Sequence, residues 1–275
     1  MNDSLRTAEF VASKRGNIFV LAHHGQNFGG KCTLLVPPFA EEMNKSRRII
    51  AFLGNRLAEN GRGLVVPDLY GTGDSDGDFA DTDCDAWFDD LRATENWARS
   101  KGWSIDSAVG IRLGGLLALL YSEYRRAAFC RIVLWQPSLD GKRTLEQFLR
   151  LRVAASMTAG NTETVAQLKS RIAGGEIIEV AGYELSPRLA EQMETLNLPD
   201  RFEFGAANVT WIEVLRSKES SLPVATTKSL ALLNASGVAA ELHTIVGEPF
   251  WMASEIVRLD AIGESTANIL YCAGP

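Results

Sequence analysis

The chain has 275 residues, of which 46% are hydrophobic and 23% charged, and its formal net charge is -6. That length suits one large α/β domain, with or without an inserted subdomain, and the acidic balance argues against nucleic acid as a partner. No apolar run approaches the roughly eighteen residues of a transmembrane helix, and the polar start, Met1 to Lys14, lacks the basic and apolar stretches of a signal peptide.

Apolar runs alternate with helical patterns along the chain. Glu9–Ala12 and Ile18–His23 read as an opening hairpin, and Lys31–Val36 as the first buried strand. Lys45–Asn60 carries Ile49, Ile50, Phe52, Leu53 and Leu57 at helical spacing and stops near Gly61. Gly63–Val66 is the next strand, followed by the turn-rich stretch Asp68–Gly77. Cys84–Lys101 is an amphipathic helix with Trp87, Phe88, Leu91 and Trp97. Ser107–Ile111 is a strand, Leu113–Tyr124 a helix directly after it, and Arg131–Trp135 a strand closed by Pro137.

From about residue 138 to 206 the pattern turns helical and charged, with helices expected over Leu145–Met157, Thr162–Ala173 and Pro187–Thr195. Alternation resumes with the strand Val209–Val214, the helix Val224–Ala235, the strand Glu241–Val246 and a last helix over Asp260–Cys272. The expected fold is α/β: a mostly parallel central sheet with helices on both faces. Residues 1–137 and 207–275 form its core, and 138–206 form a helical cap inserted between two late strands. Ligands of such sheets bind at the carboxyl ends of the strands, beneath a cap of this kind.

Cys32, Cys84, Cys130 and Cys272 have no metal-ligand spacing. Cys32 and Cys130 read as buried thiols in strands, which points to a reducing cytoplasm with no disulfide, metal site or cofactor. The chain has three histidines, His23, His24 and His243, and each falls in an expected strand or hairpin. A Gly-x-Ser-x-Gly match exists at Gly73 to Gly77, but Ser75 lies in a polar turn between Asp74 and Asp76. A nucleophile elbow needs a strand directly before it and a helix directly after it.

That setting occurs at Gly110-Ile111-Arg112-Leu113-Gly114, with Arg112 where the nucleophile stands. A guanidinium stays protonated and offers no usable lone pair. Two readings of Arg112 stand: a structural ion pair with Glu41 or Glu42, and an anion receptor beside the helix that starts at Leu113. The other parts of an acyl-transfer site are incomplete. Pro37 and Pro38 have no N–H, so an oxyanion hole falls to the N–H groups of Phe39 and Leu113. Glu219, ahead of Pro223, takes the place of the orienting acid, and Pro249 stands where the histidine belongs. Phe250 and Trp251 read as pocket wall. The reactive-cysteine alternative at Cys84 is weighed down by Asp83 and Asp85.

These segments resemble the α/β-hydrolase superfamily. More narrowly, they resemble the exosortase A system-associated hydrolase family in its form with arginine at the elbow. The matching stretches are Val36 to Arg48, Pro67 to Ser75, Gly110 to Gly114, Leu134 to Pro137, Ala181 to Pro187 and Pro249 to Trp251. The resemblance implies the α/β-hydrolase fold and a role near exopolysaccharide production and the sorting of proteins to the cell surface. It supplies no reaction. The leading expectation is a degenerate hydrolase that binds a polar or anionic small molecule, or a peptide end, under its cap, with Arg112 central and Glu41, Glu42 and Asn44 around it. An active ester, thioester or amide hydrolase, with Glu219 or a loop carboxylate activating water, is the first alternative. An interaction scaffold is the second.

Overall fold

The computed structural model describes residues 5–125, 129–158, 162–202, 208–253, 255 and 257–271. Its centre is an eight-stranded sheet in the order β1-β2-β4-β3-β5-β6-β9-β10. Strands β1 (Leu5–Ala12) and β2 (Asn17–His24) form an antiparallel hairpin, and β2 also pairs antiparallel with β4 (Gly63–Pro67). All further pairings are parallel, through β3 (Lys31–Val36), β5 (Ser104–Ile111), β6 (Arg131–Trp135), β9 (Val209–Leu215) and β10 (Ala240–Val246).

The inner strands β3, β4, β5, β6 and β9 are apolar on both sides because both sides are covered. Ala108, Ile132 and Leu134 pack with helices α2 (Cys84–Ser100) and α3 (Leu113–Tyr124). Their neighbours Val109, Val133 and Trp135 pack with α1 (Glu41–Glu59) and α8 (Asp260–Tyr271) on the opposite side. Helix α7 (Val224–Ala235) links the last two strands.

Several boundaries differ from the sequence expectation for local reasons. Helix α1 begins at Glu41 instead of Lys45, because Ala40 turns the chain with φ 49° and two acidic residues then occupy the positive end of the helix. Strand β5 starts at Ser104 instead of Ser107. Cys130 precedes β6 and is exposed, so it is no buried strand thiol. Cys272 and the boundary at 206/207 lie outside the described residues.

Between β6 and β9 the chain forms α4 (Gly141–Thr158), α5 (Val165–Ala173), β7 (Ile178–Val180), β8 (Tyr183–Leu185) and α6 (Pro187–Thr195). The β7–β8 hairpin was not expected in a stretch read as helical. Ala181 and Gly182 at its tip both have positive φ, 51° and 85°, as a two-residue hairpin loop of this type requires. This segment meets the rest of the protein at defined points. Phe148 packs edge-on against Phe39, and Tyr183 against Phe79. Arg188 pairs with the buried Asp83 at 2.6 Å. Among the described residues no helix is long and apolar enough to cross a membrane.

Candidate functional site

Arg112 stands at the corner between β5 and α3, with φ 55° and ψ -119°. A residue with a Cβ rarely adopts this conformation, and the corner is held from several sides. The Arg112 N–H donates to the Trp135 carbonyl at 3.0 Å, and the Arg112 carbonyl accepts from Gly115 and Ser138. The flanking glycines are required by closeness. A Cβ on Gly114 would lie 2.3 Å from the Val36 carbonyl oxygen, and one on Gly110 would lie 2.5 Å from that of Gly114.

The guanidinium is enclosed. Its Nε donates to Glu42 Oε1 at 3.2 Å, Nη1 to the Gln136 carbonyl at 2.9 Å, and Nη2 to Gln147 Oε1 at 3.2 Å. The Trp251 ring covers it, 5.2 Å from guanidinium carbon to ring centroid. Of the two carboxylates offered by the sequence, Glu42 is the partner. Burial pushes the Glu42 carboxyl up to about 7, with Arg112 opposing, and burial raises that of Glu41 as well. Oε2 of each is buried without a hydrogen-bond partner.

Arg112 forms part of the wall of two cavities. One, of about 380 Å³, is lined by Phe39, Glu41, Glu42, Lys45, Phe148, Arg150 and Trp251 among others. The second, of about 390 Å³, lies toward β9 and α7 and is lined by Gln136, Asp140, Arg143, Glu213 and Lys228 among others. Arg112, Gln147, Trp251 and Met252 border both.

The structure thus brings Arg112, Phe39, Glu41, Glu42 and Trp251 to one cavity and leaves other expected residues elsewhere. Asn44 lies two positions beyond Glu42 on α1, turned away on the helix, where it donates to the Tyr183 hydroxyl at 3.2 Å. With Phe39 and Leu113 it lines a separate small cavity of about 30 Å³. Phe250 is buried between Trp135 and Trp251 and lines neither Arg112 cavity. Glu219 is exposed in the turn beyond β9, with three residues between it and the end of the strand, and lines neither of them. Pro249 precedes the short turn Phe250–Met252 that carries Trp251.

No histidine lines either cavity. His23 is buried in β2, where burial pushes it down to about 4. His24 meets Thr7, and His243 lies in the edge strand β10, partly exposed, where it pairs with Glu241. The Ser75 hydroxyl donates to the Asp68 carbonyl and accepts from the Phe19 N–H, a structural role in its turn. Burial, with Asp83 and Asp85 nearby, pushes the Cys84 thiol up to about 12, which leaves it inert at neutral pH. Among the described residues no group of three or more His, Cys, Asp or Glu side chains could hold a metal ion.

Sequence reasoning missed Gln136 and Glu213. Gln136 follows β6 with φ 42°. Its amide donates to Glu213 Oε1 at 2.7 Å and accepts from the Val214 N–H, while Trp211 donates to Glu213 Oε2 at 2.8 Å. The signal was present: a lone carboxylate inside the apolar run Val209–Leu215 must be buried with partners.

The sequence matches no protein-family model, and no curated protein matches it. Its architecture is similar to several solved structures. Est1E of Butyrivibrio proteoclasticus, with ferulic acid bound, is 17% identical with a TM-score of 0.71, covering 96% of this chain and 98% of that one. One of two fungal esterases of Rhizomucor miehei is 12% identical, with a TM-score of 0.62 over 98% and 84% of the chains. XC6422 of Xanthomonas campestris, an α/β serine hydrolase without lid, is 13% identical, with a TM-score of 0.58 over 98% and 97%. The fold is that of the α/β-hydrolases.

Proposed function

We propose that this protein is a degenerate α/β-hydrolase that binds a polar or anionic small molecule, or a peptide end, beside Arg112, with residues 138–206 acting as the cap. The observation that carries this reading is the enclosed guanidinium at the elbow, in the strained backbone conformation from which this fold presents a nucleophile. The cavity supports the binding half of the reading: it is large enough for a small molecule and brings Lys45, Arg112 and Arg150 to its walls. The bound ferulic acid of Est1E is a small carboxylic acid with an aromatic body, a member of the same ligand class. The free thiols of Cys32, Cys84 and Cys130 support a cytoplasmic setting. The stretches that resemble the exosortase A system-associated hydrolases support a place beside exopolysaccharide production.

A panel of nitrophenyl esters and thioesters, together with fluorophosphonate labelling, tests this. The expected outcome is no labelling and no turnover that differs between the native chain and Arg112→Ala. Labelling, or turnover abolished by Arg112→Ala, overturns it.

One observation favours a second reading, an active hydrolase with a carboxylate base. Glu42 titrates near neutrality beside the cavity, as a general base must. That reading predicts ester turnover that rises with pH through about 7 and disappears in Glu42→Gln.

A further inference from the structure

The cavity beside Arg112 pairs a charged inner end with apolar walls. Phe39, Phe148, Leu151, Trp251 and Met252 supply the walls, and Leu151 and Met252 are exposed at 38% and 68%. The inner end already holds a carboxylate that the protein itself provides. Glu42 meets Arg112 through one oxygen, at the long end of hydrogen-bond distance, 3.2 Å. Its second oxygen is buried and unpartnered. Guanidinium groups favour two-point pairing with a carboxylate, and Glu42 does not achieve it. The other acceptors on Arg112, the Gln136 carbonyl and Gln147 Oε1, are neutral.

We propose that the cavity takes a small carboxylate with an apolar body, that this carboxylate replaces Glu42 on Arg112, and that Glu42 takes up a proton from solvent as it is displaced. The proposal rests on the reading of Arg112 as the centre of a binding site. A carboxylate separated from its cation while buried is costly, and protonation removes that cost.

The charged surroundings of Glu42 are few. Glu41 and Lys45 stand beside it on α1, Arg112 faces it from the elbow, and Arg150 lines the same cavity from α4. The turn Phe250–Met252 brings no titratable group. Where α8 meets α1, Asp260 and Glu264 pair with Arg48 and Arg56, and His23 of β2 approaches α1 at Gly54, farther along the helix. Affinity is therefore flat below about pH 7, where Glu42 is already protonated, down to the acid range in which the ligand's own carboxylate takes up a proton. Above that it weakens by about tenfold per pH unit, because each binding event must draw in a proton.

Calorimetry on the full chain with cinnamate, and with neutral cinnamamide as control, tests this in buffers of different ionisation enthalpy. Cinnamate is expected to bind at pH 8 with uptake of about one proton, and cinnamamide is expected not to bind. Glu42→Gln is expected to bind cinnamate more tightly at pH 8 with no proton uptake, and Arg112→Gln to lose binding. Circular dichroism checks that each variant is folded. Cinnamate binding without proton uptake, or weaker binding by Glu42→Gln, overturns the displacement. Absence of cinnamate binding by both the native chain and Glu42→Gln overturns the carboxylate assignment. Neither result touches the loss of acyl-transfer chemistry, which the ester and labelling assays decide separately.

Discussion

Glu42 makes a cost visible in the way stability depends on pH. Its carboxyl is raised to about 7 in the folded chain from an ordinary value of 4.5. The folded state therefore holds a proton that the unfolded state has lost between those values, and stability falls as pH rises across that window. Over the whole window this amounts to about 3 kcal/mol. His23 acts in the opposite sense. Its value is depressed, so stability falls as pH drops from 6.5 toward about 4. The difference between native chain and Glu42→Gln isolates the first effect. In chemical denaturation, the stability of the native chain relative to Glu42→Gln should fall from pH 4.5 to 7 and level off above. A flat difference curve would show that Glu42 titrates normally.

The elements that place this pair were legible to different degrees. The strand and helix around the elbow follow from apolar runs separated by Gly110 and Gly114, and α3 spans the same residues in structure and in sequence pattern. The register of α1 was not legible. Ala40 carries no turn signature, yet its backbone starts the helix ahead of Lys45, and only the resulting rotation distinguishes Glu42 from Glu41. The β7–β8 hairpin was missed because Ile178-Glu-Val and Tyr183-Glu-Leu are too short to outweigh helical neighbours, and Ala-Gly is a weaker turn signal than Asn-Gly. Gly114 tests the element scale. A methyl group there would strike the carbonyls of Val36 and Pro37, at 2.3 and 2.4 Å, and backbone atoms cannot swing aside. Gly114→Ala should cost on the order of 4 kcal/mol or prevent folding, read from the denaturation midpoint. A loss under about 1 kcal/mol would mean that the corner is looser than described.

At the scale of the molecule, the sheet and its two covered faces were legible because parallel strands buried on both sides have a strong apolar signature. The partners of polar groups across the fold were not, because they depend on residues far apart in sequence. Asp83 is an example. It accepts from the Ala86 N–H at 2.8 Å, and pairs with Arg15 from the β1–β2 turn and Arg188 from α6, so one buried carboxylate ties three parts together. Burial pushes this carboxyl up, but the Ala86 N–H and the two arginines more than offset it and leave it below its ordinary value of 3.8. Its contribution is thus present above that value and lost as pH falls further. Asp83→Ala should cost about 1–2 kcal/mol through the lost helix cap alone. Hydrogen exchange should quicken in α6 and at the β1–β2 turn, and unchanged exchange there would refute the tie.

The three neighbouring strands β3, β5 and β6 lead into Ala40, Arg112 and Gln136, whose φ angles of 49°, 55° and 42° would suit glycine better. Each such residue holds about 1–3 kcal/mol of backbone tension. This rim of the sheet therefore behaves like a row of bent springs, kept loaded by the packing beneath it. Drift toward glycine would relax the backbone there, and at Arg112 and Gln136 it would erase a side chain that borders one of the two larger chambers, so gains in robustness and loss of the recess are tied to the same few codons.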